Sequence, residues 1–344
     1  MPNKIIDIRS DTVTLPSPAM RKAMYEAELG DDVFQEDPTV NHLEAKAAEL
    51  LGKEAALFVV SGTMGNLVSI VTHCQRGDEV IVGDQAHSFF YEVGGAAVVG
   101  GLAWHCLPNG RGLPDPVAVE NAIRPDNIHA PRTGLICLEN THNRCGGVAL
   151  SSAQMRPIVE IAKRHSVPMH LDGARIFNAA IATGEPVRSL VEPFDSVQFC
   201  LSKGLACPVG SLVVGSADFI RRARKTRKML GGGMRQAGVL AAAGLVALDT
   251  MIDRLAEDHA NARLLAEGIA EIPGLAIDLS AVQTNIVAFE VLAMTPAEFV
   301  SRLASEGVKV IPFGGRRCRA VTHYGIERED VLSALAAMRR VVGA

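Results

Sequence analysis

Two apolar runs in this chain end in residues able to do covalent chemistry. The first is Met169-His170-Leu171-Asp172-Gly173-Ala174-Arg175, a strand whose carboxyl end delivers an acid just before a glycine turn. Ligands of open α/β sheets sit outside the carboxyl ends of the strands, so Asp172 stands where chemistry is usually done. An Asp before Gly is also an ordinary turn or helix cap. His170 lies one residue from Asp172, but no second histidine or carboxylate pair at helical spacing joins it, and no metal site is expected. The second run, Phe199-Cys200-Leu201-Ser202-Lys203-Gly204-Leu205, follows about 30 positions later, one βαβ step. A lysine taken out of water there is a nucleophile toward an aldehyde. Alone, each run is a weak signal. Together they are the pair that a pyridoxal 5′-phosphate (PLP) site needs: a Schiff-base lysine, Lys203, and a carboxylate, Asp172, that keeps the pyridine nitrogen protonated.

A third stretch, Ser61-Gly62-Thr63-Met64-Gly65-Asn66, follows a strand and opens a helix. Small residues there let backbone N–H groups approach a phosphate, and a helix N-terminus favours the anion. Plain helix capping is the alternative. The stretch is neither a Walker A loop nor G-x-G-x-x-G, which argues against a nucleotide or a nicotinamide cofactor.

With these residues in view, the chain resembles the L-threonine aldolases, fold-type I PLP enzymes, over nearly its whole length. The motifs that carry the resemblance are IRSDTVT at Ile8 to Thr14, GDDVFQEDPTVNHLE at Gly30 to Glu44, SGTMGN at Ser61 to Asn66 and DQAHSFFYEVGGAA at Asp84 to Ala97. They continue with LENTHNRCGG at Leu138 to Gly147, HLDGAR at His170 to Arg175, SKGLACPVGS at Ser202 to Ser211, GGGMRQAG at Gly231 to Gly238 and RAVTH at Arg319 to His323. The resemblance implies that His87 stacks on the cofactor ring, that Gly62 and Thr63 hold its phosphate, and that Ser10, Arg175 and Arg319 hold the substrate carboxylate. A guanidinium fork grips a carboxylate bidentately, so arginines make chemical sense there. Arg316 and Arg317 crowd Arg319, which leaves open which arginine does so. By the same resemblance Glu92 and His129 lie near the substrate hydroxyl, and Lys228 and Arg235 reach the phosphate in a neighbouring subunit. The implied activity is reversible cleavage of β-hydroxy-α-amino acids such as L-threonine or L-allo-threonine to glycine and an aldehyde. Another fold-type I PLP lyase or an aminotransferase is the alternative.

The elements that must position these residues are those of an α/β protein. Apolar bursts alternate with amphipathic segments over the first two thirds, the signature of βαβ units on a mostly parallel sheet. Strands are expected at Ala55 to Val60, Glu79 to Val82, Gly134 to Leu138, Pro168 to Leu171, Ser196 to Cys200 and Ser211 to Val214, with helices at Gly62 to Cys74 and Ala153 to His165. From about Asp253 the pattern changes to a long helix through Asn261 to Ile272, a strand at Ile286 to Phe289, a helix at Pro296 to Ser305, short strands near Val308 to Ile311 and Ala320 to Thr322, and a last helix from Glu327. The division expected is a cofactor-binding large domain over residues 1–252, N-terminal arm included, and a small α+β domain over 253–344.

A net charge of −4 gives no reason to expect nucleic acid or membrane as partner. The seven cysteines are scattered, without a C-x-x-C pair, and read as free thiols of a reducing compartment. The charged opening MPNKIIDIRSD is unlike a signal peptide, so a cytoplasmic protein is expected. The apolar stretch Ala237 to Leu248, just after the GGGMRQ glycines, is too short for a bilayer and reads as a buried helix. With the glycine run it suggests a dimer of dimers with shared sites, acting on small amino acid and aldehyde molecules.

Overall fold

The computed structural model describes residues 4–343. Its strands are β1 (Ile6–Asp7), β2 (Ala55–Val59), β3 (Glu79–Gly83), β4 (Ala103–Leu107), β5 (Thr133–Glu139), β6 (Met169–Asp172), β7 (Ser196–Cys200) and β8 (Ser211–Gly215). Then come β9 (Leu275–Ala276), β10 (Ile286–Val291), β11 (Val308–Lys309), β12 (Ile311–Pro312) and β13 (Arg317–Val321). Seven of them form one sheet in the order β2-β8-β7-β6-β5-β3-β4. Every neighbouring pair from β7 to β4 is parallel, whereas β8 runs antiparallel to both β7 and β2. The continuous apolar runs of β3, β5 and β7 are buried along their length, as strands covered on both faces must be.

Local chemistry sets the helix ends that matter here. Ser61 accepts from the Met64 N–H and starts the Gly62–His73 helix beside the end of β2. Ser151 and Gln154 form a reciprocal capping box on the Ser152–Arg164 helix between β5 and β6. The stretch read as a buried apolar helix is Gly238–Thr250, and the missing side chain at Gly244 lets Leu43 and Leu201 approach to where a Cβ would meet them at 2.9 and 3.0 Å. Among the described residues no helix is long and apolar enough to cross a membrane.

A second sheet, β12-β13-β10-β9, is antiparallel and has its own core, which includes Leu265, Ile269, Phe289, Phe299 and Met338. Two differences from the sequence reading stand out. The long helix begins at Leu255, ahead of Asn261, with Arg254 paired to the buried Asp258 of its first turn; the charged run Glu257-Asp258-His259 interrupts the apolar spacing there. The N-terminal arm, expected with the large domain, pairs its β1 in parallel with β11 and adds Ile6 and Ile8 to the second core. Strand β4 and the helices Pro18–Glu26 and Pro38–Leu51 were not expected from the sequence. Strand β4 carries Trp104, His105 and Cys106 half-buried at the sheet edge, so it lacks the apolar burst of its neighbours.

Candidate active site

Asp172 closes β6, with Glu139 of β5 and Gln198 of β7 as its register partners on either side. The carboxylate is buried and fully engaged. Its Oδ1 accepts from Gln198 Nε2 at 2.7 Å and from the Ala174 N–H at 3.1 Å, while Oδ2 accepts from Asn66 Nδ2 at 2.8 Å. Burial works against its charge, but the cations of His87 and Lys203 and the bonds from Gln198 and Asn66 outweigh it and hold the carboxyl below its ordinary pKa. The following Gly173 is obligatory, since a Cβ there would stand 2.9 Å from the Gln198 carbonyl. Three residues past the end of β7, Lys203 lies half-buried on the same edge of the sheet. Gly62, at the N-terminus of its helix, sits so close to β7 that a Cβ would meet Cys200 Sγ at 2.7 Å, which brings the helix start to the strand that precedes Lys203.

His87 begins the short His87–Phe90 helix, where its backbone N–H donates to Glu139 Oε2 at 2.7 Å. Its Nδ1 bonds Glu92 Oε1 at 2.9 Å, and the same Glu92 oxygen accepts from Asn66 Nδ2 at 2.8 Å. One ligand atom each of His87, Glu92 and Asp172 lies within 4.8 Å of the others. Burial opposes a charge on His87, yet the Glu92 bond and the Asp172 charge prevail and raise its pKa. Burial raises the Glu92 carboxyl, and the nearby Asp172 adds to the shift.

On the other side of the cavity stands Arg319, in β13. Its Nη1 donates to Asn143 Oδ1 at 2.8 Å and Nη2 to the Arg9 carbonyl at 3.2 Å, while its buried Nε has no hydrogen-bond partner. Burial, with Arg175 alongside, pushes this guanidinium down to about 10. Arg175 is committed differently from the expectation that it grips substrate: Nε and Nη2 both donate to buried Asp11 at 2.7 Å, leaving one amino group. The reason is burial, since a fully enclosed guanidinium requires a counter-charge. Ser10, Thr12, His87, Tyr91, Asn143, Arg175, Lys203, Phe313 and Arg319 line a cavity of about 400 Å3. Arg316 instead donates to the carbonyls of Val291 and Leu292, so of the three neighbouring arginines only Arg319 reaches this cavity.

Glu92 does not line that cavity. It stands behind His87 and touches it and Asn66, so it is placed to orient the imidazole rather than to meet a substrate hydroxyl. His129 lies in an exposed turn, its N–H bonded to Asn127, away from the cavity of its own chain. Lys228 and Arg235 are exposed as well. Arg235 pairs with Asp31, and Lys228 lines a larger cavity of about 880 Å3 between the Pro38–Leu51 and Ala217–Met229 helices. Sequence reading missed Asn66, Gln198, Asn143, Glu139 and Asp11. Gln198 and Glu139 had a signal, a polar residue inside or at the end of an otherwise apolar buried strand; Asn66, Asn143 and Asp11 lay inside recognised motifs without a role of their own.

The residues fit PLP by their chemistry. A buried carboxylate kept ionised by three donors suits a protonated ring nitrogen, the Gly62 helix start suits a phosphate, and a primary amine shares one cavity with Arg319, whose buried Nε has no partner among the described residues. Sheet order, strand directions and this edge arrangement define a fold-type I PLP enzyme. The Beta-eliminating lyase family pattern matches residues 7–292. The low-specificity L-threonine aldolase 1 of Arabidopsis thaliana is 48% identical over 98% of this chain and 96% of that protein. The low specificity L-threonine aldolase of Escherichia coli (strain K12) is 44% identical over 97% and 98%. The chain therefore belongs to the Beta-eliminating lyase family and, within it, to the low-specificity L-threonine aldolases. The fold is shared with the solved threonine aldolase of Leishmania major (TM-score 0.84, 18% identity, 98% and 99% of the two chains). It is shared too with Sphingomonas wittichii serine palmitoyltransferase (TM-score 0.79, 17% identity, 98% and 88%).

Proposed function

We propose that this chain cleaves L-threonine, L-allo-threonine and related β-hydroxy-α-amino acids reversibly to glycine and an aldehyde, with PLP as cofactor. The observation that carries the reading is the shared cavity: Lys203, His87 and Arg319, whose buried Nε has no partner among the described residues, line one space of about 400 Å3, suited to an amino acid. Bound PLP supplies an electron sink for the pair left at Cα when the Cα–Cβ bond breaks. Lys203 is the amine that would hold the cofactor. Asp172 would keep the ring nitrogen protonated, His87 would cover the ring, and Gly62 and Thr63 would offer backbone N–H groups to the phosphate. Arg319, assisted by Ser10 and the remaining amino group of Arg175, takes the substrate carboxylate. In its neutral form, with the Nδ1 proton held by Glu92, His87 presents Nε2 to receive the β-hydroxyl proton, directly or through a water ordered by Glu92 or His129.

The same reading includes a dimer of dimers in the cytoplasm, without nucleic acid or membrane as partner, in which Lys228 and Arg235 complete a neighbour's phosphate site. Exposed apolar side chains such as Val93 (93%), Val98 (80%) and Met229 (65%) support an assembly surface. The deciding experiment incubates purified protein and PLP with each threonine stereoisomer. Equal amounts of glycine and acetaldehyde are expected without added keto acid. Ammonia with a keto acid as products, or a requirement for a keto acid acceptor, would replace this reading with β-elimination or transamination.

A further inference from the structure

Behind Asp172 a line of buried polar side chains runs through the sheet to its opposite end, and the reaction as described uses none of them. Asn66 is the near end. Its amide nitrogen lies 2.8 Å from Asp172 Oδ2 and 2.8 Å from Glu92 Oε1, so its two hydrogens serve two carboxylates. That pairing fixes the amide, because the reverse orientation would turn a carbonyl oxygen onto the Asp172 carboxylate. Asn66 Oδ1 is then an acceptor, and His170 Nε2 stands 3.1 Å away. His170 must donate from Nε2, and its Nδ1 must accept from the Ser196 hydroxyl at 2.8 Å. The hydroxyl oxygen in turn accepts from His73 Nε2 at 2.8 Å. His73 stacks on Phe219 and lines a cavity of about 470 Å3 with Asp195 and Arg222.

We propose that His73, Ser196, His170 and Asn66 form a one-way donor chain that ends on Asp172 and keeps its carboxylate ionised and aimed at the cofactor, which makes His170 a positioning residue of the reaction. Each donor points the same way, so the bonds polarise one another toward the acid. Burial holds His170 down to about 4 and His73 down to about 3, so both rings stay neutral at neutral pH and the direction of the chain is preserved. The groups that face Asp172 are the cations of His87 and Lys203, the Glu92 carboxyl, Cys137 of β5, His142 of the loop after β5, and His170 on its own strand. Glu92 holds the Asn66 amide nitrogen, but among the described residues His170 alone bonds its carbonyl oxygen.

The inference rests on Asp172 being the acid that faces the cofactor. Its test combines tautomer measurement by 15N NMR on histidine-labelled full-length protein with cofactor titration against pH. In the wild type, His170 and His73 are expected as neutral Nε2–H tautomers. In Ser196→Ala, His170 is expected to lose that preference. His170→Leu is expected to weaken cofactor binding roughly ten-fold, as for one hydrogen bond to a charged group, and to move the acid limb of binding to higher pH. The sign follows from Asp172: its lowered pKa rises when the Asn66 bond is released, so its charge is lost earlier as pH falls. His170→Gln, whose amide donates to Asn66 and accepts from Ser196, is expected to restore most of the affinity, which a purely packing role would not require. An Nδ1–H tautomer at His170, or an unchanged acid limb in folded His170→Leu, overturns the chain. Should His170→Leu not fold, Ser196→Ala decides by the same limb, with an unmoved limb overturning the proposal. A wrong role for Asp172 shows separately, as unchanged cofactor binding in Asp172→Asn beside intact tautomers.

Discussion

The half of the site around Asp172 is built within one sheet, whereas the half around Arg319 is assembled from segments far apart along the chain. Asp172, Gln198, Glu139 and Lys203 sit on or just after adjacent parallel strands, whose hydrogen bonding fixes their spacing. Arg319 comes from the small domain, Asn143 from the loop after β5, and Arg9 and Asp11 from the N-terminal arm. The difference separates two tasks. Cofactor chemistry needs a rigid frame, and a sheet provides it. Grip on a substrate is carried by a wall whose β13 belongs to the second hydrophobic core, built apart from the central sheet.

Substitutions on each side should therefore fail in different ways. Lys203→Ala carries the largest effect: turnover should fall by about 10³-fold or more, since a group acting as part of a unit takes the whole unit with it. Its visible cofactor absorbance should change too, and borohydride should no longer attach the cofactor to the chain. Attachment at another lysine would move the chemical half elsewhere. Arg319→Ala should next raise KM for threonine while sparing cofactor affinity, with a loss of about 2 to 5 kcal/mol for a buried charge-assisted pair. Loss of cofactor with unchanged KM would erase the distinction between the halves.

Asp11→Asn tests whether the arm supports the substrate side through Arg175. Breaking a buried ion pair costs about 3 to 5 kcal/mol, so the melting temperature should drop and KM should rise more than kcat falls. Burial would raise the Asp11 carboxyl, but Arg175 and Lys203 hold it well below the usual carboxylate range. A depressed carboxyl stabilises the fold above its unfolded pKa of about 4 and loses that contribution as pH falls. Wild-type melting temperature should consequently decline more steeply than that of the variant as pH drops below about 4. Parallel declines would show that the pair contributes nothing to stability. Gln198→Leu should have the smallest effect, a several-fold weaker cofactor affinity, because Asp172 keeps the Asn66 and Ala174 donors. An effect as large as that of Lys203→Ala would make Gln198 a central group.

The same division governs what the sequence made readable. Asp172 and Lys203 were legible because a charged residue ending an apolar run is rare and the βαβ step fixes their spacing. Strand β7 and the Pro296–Ser305 helix were legible to the residue, the first as an apolar burst and the second from its proline start and amphipathic spacing. The Asp11 to Arg175 pair spans 164 positions, and no local pattern announces it. Glu92 was placed beside the substrate by resemblance, but its carboxylate turns to His87 and Asn66, a choice made by three-dimensional neighbours alone. Lys228 and Arg235 remain tied to the expected subunit contacts, which one chain does not contain.

The arm's pairing with β11 also sets an order of events in time. Ile8 bonds Lys309 and Val321 through its backbone, and the Arg9 carbonyl meets Arg319 across 310 positions of sequence. On a ribosome the arm emerges about 300 residues before β11 and β13, the strands it must find. Its contacts are among the most non-local in the molecule, and contacts of that kind are the slow ones. The sheet around Asp172 can form while synthesis continues, but the carboxylate grip is completed only after β13 has been released. A nascent chain halted before Arg319 would thus present a formed cofactor frame with an open substrate side, and activity would be gained only after β13 has been made.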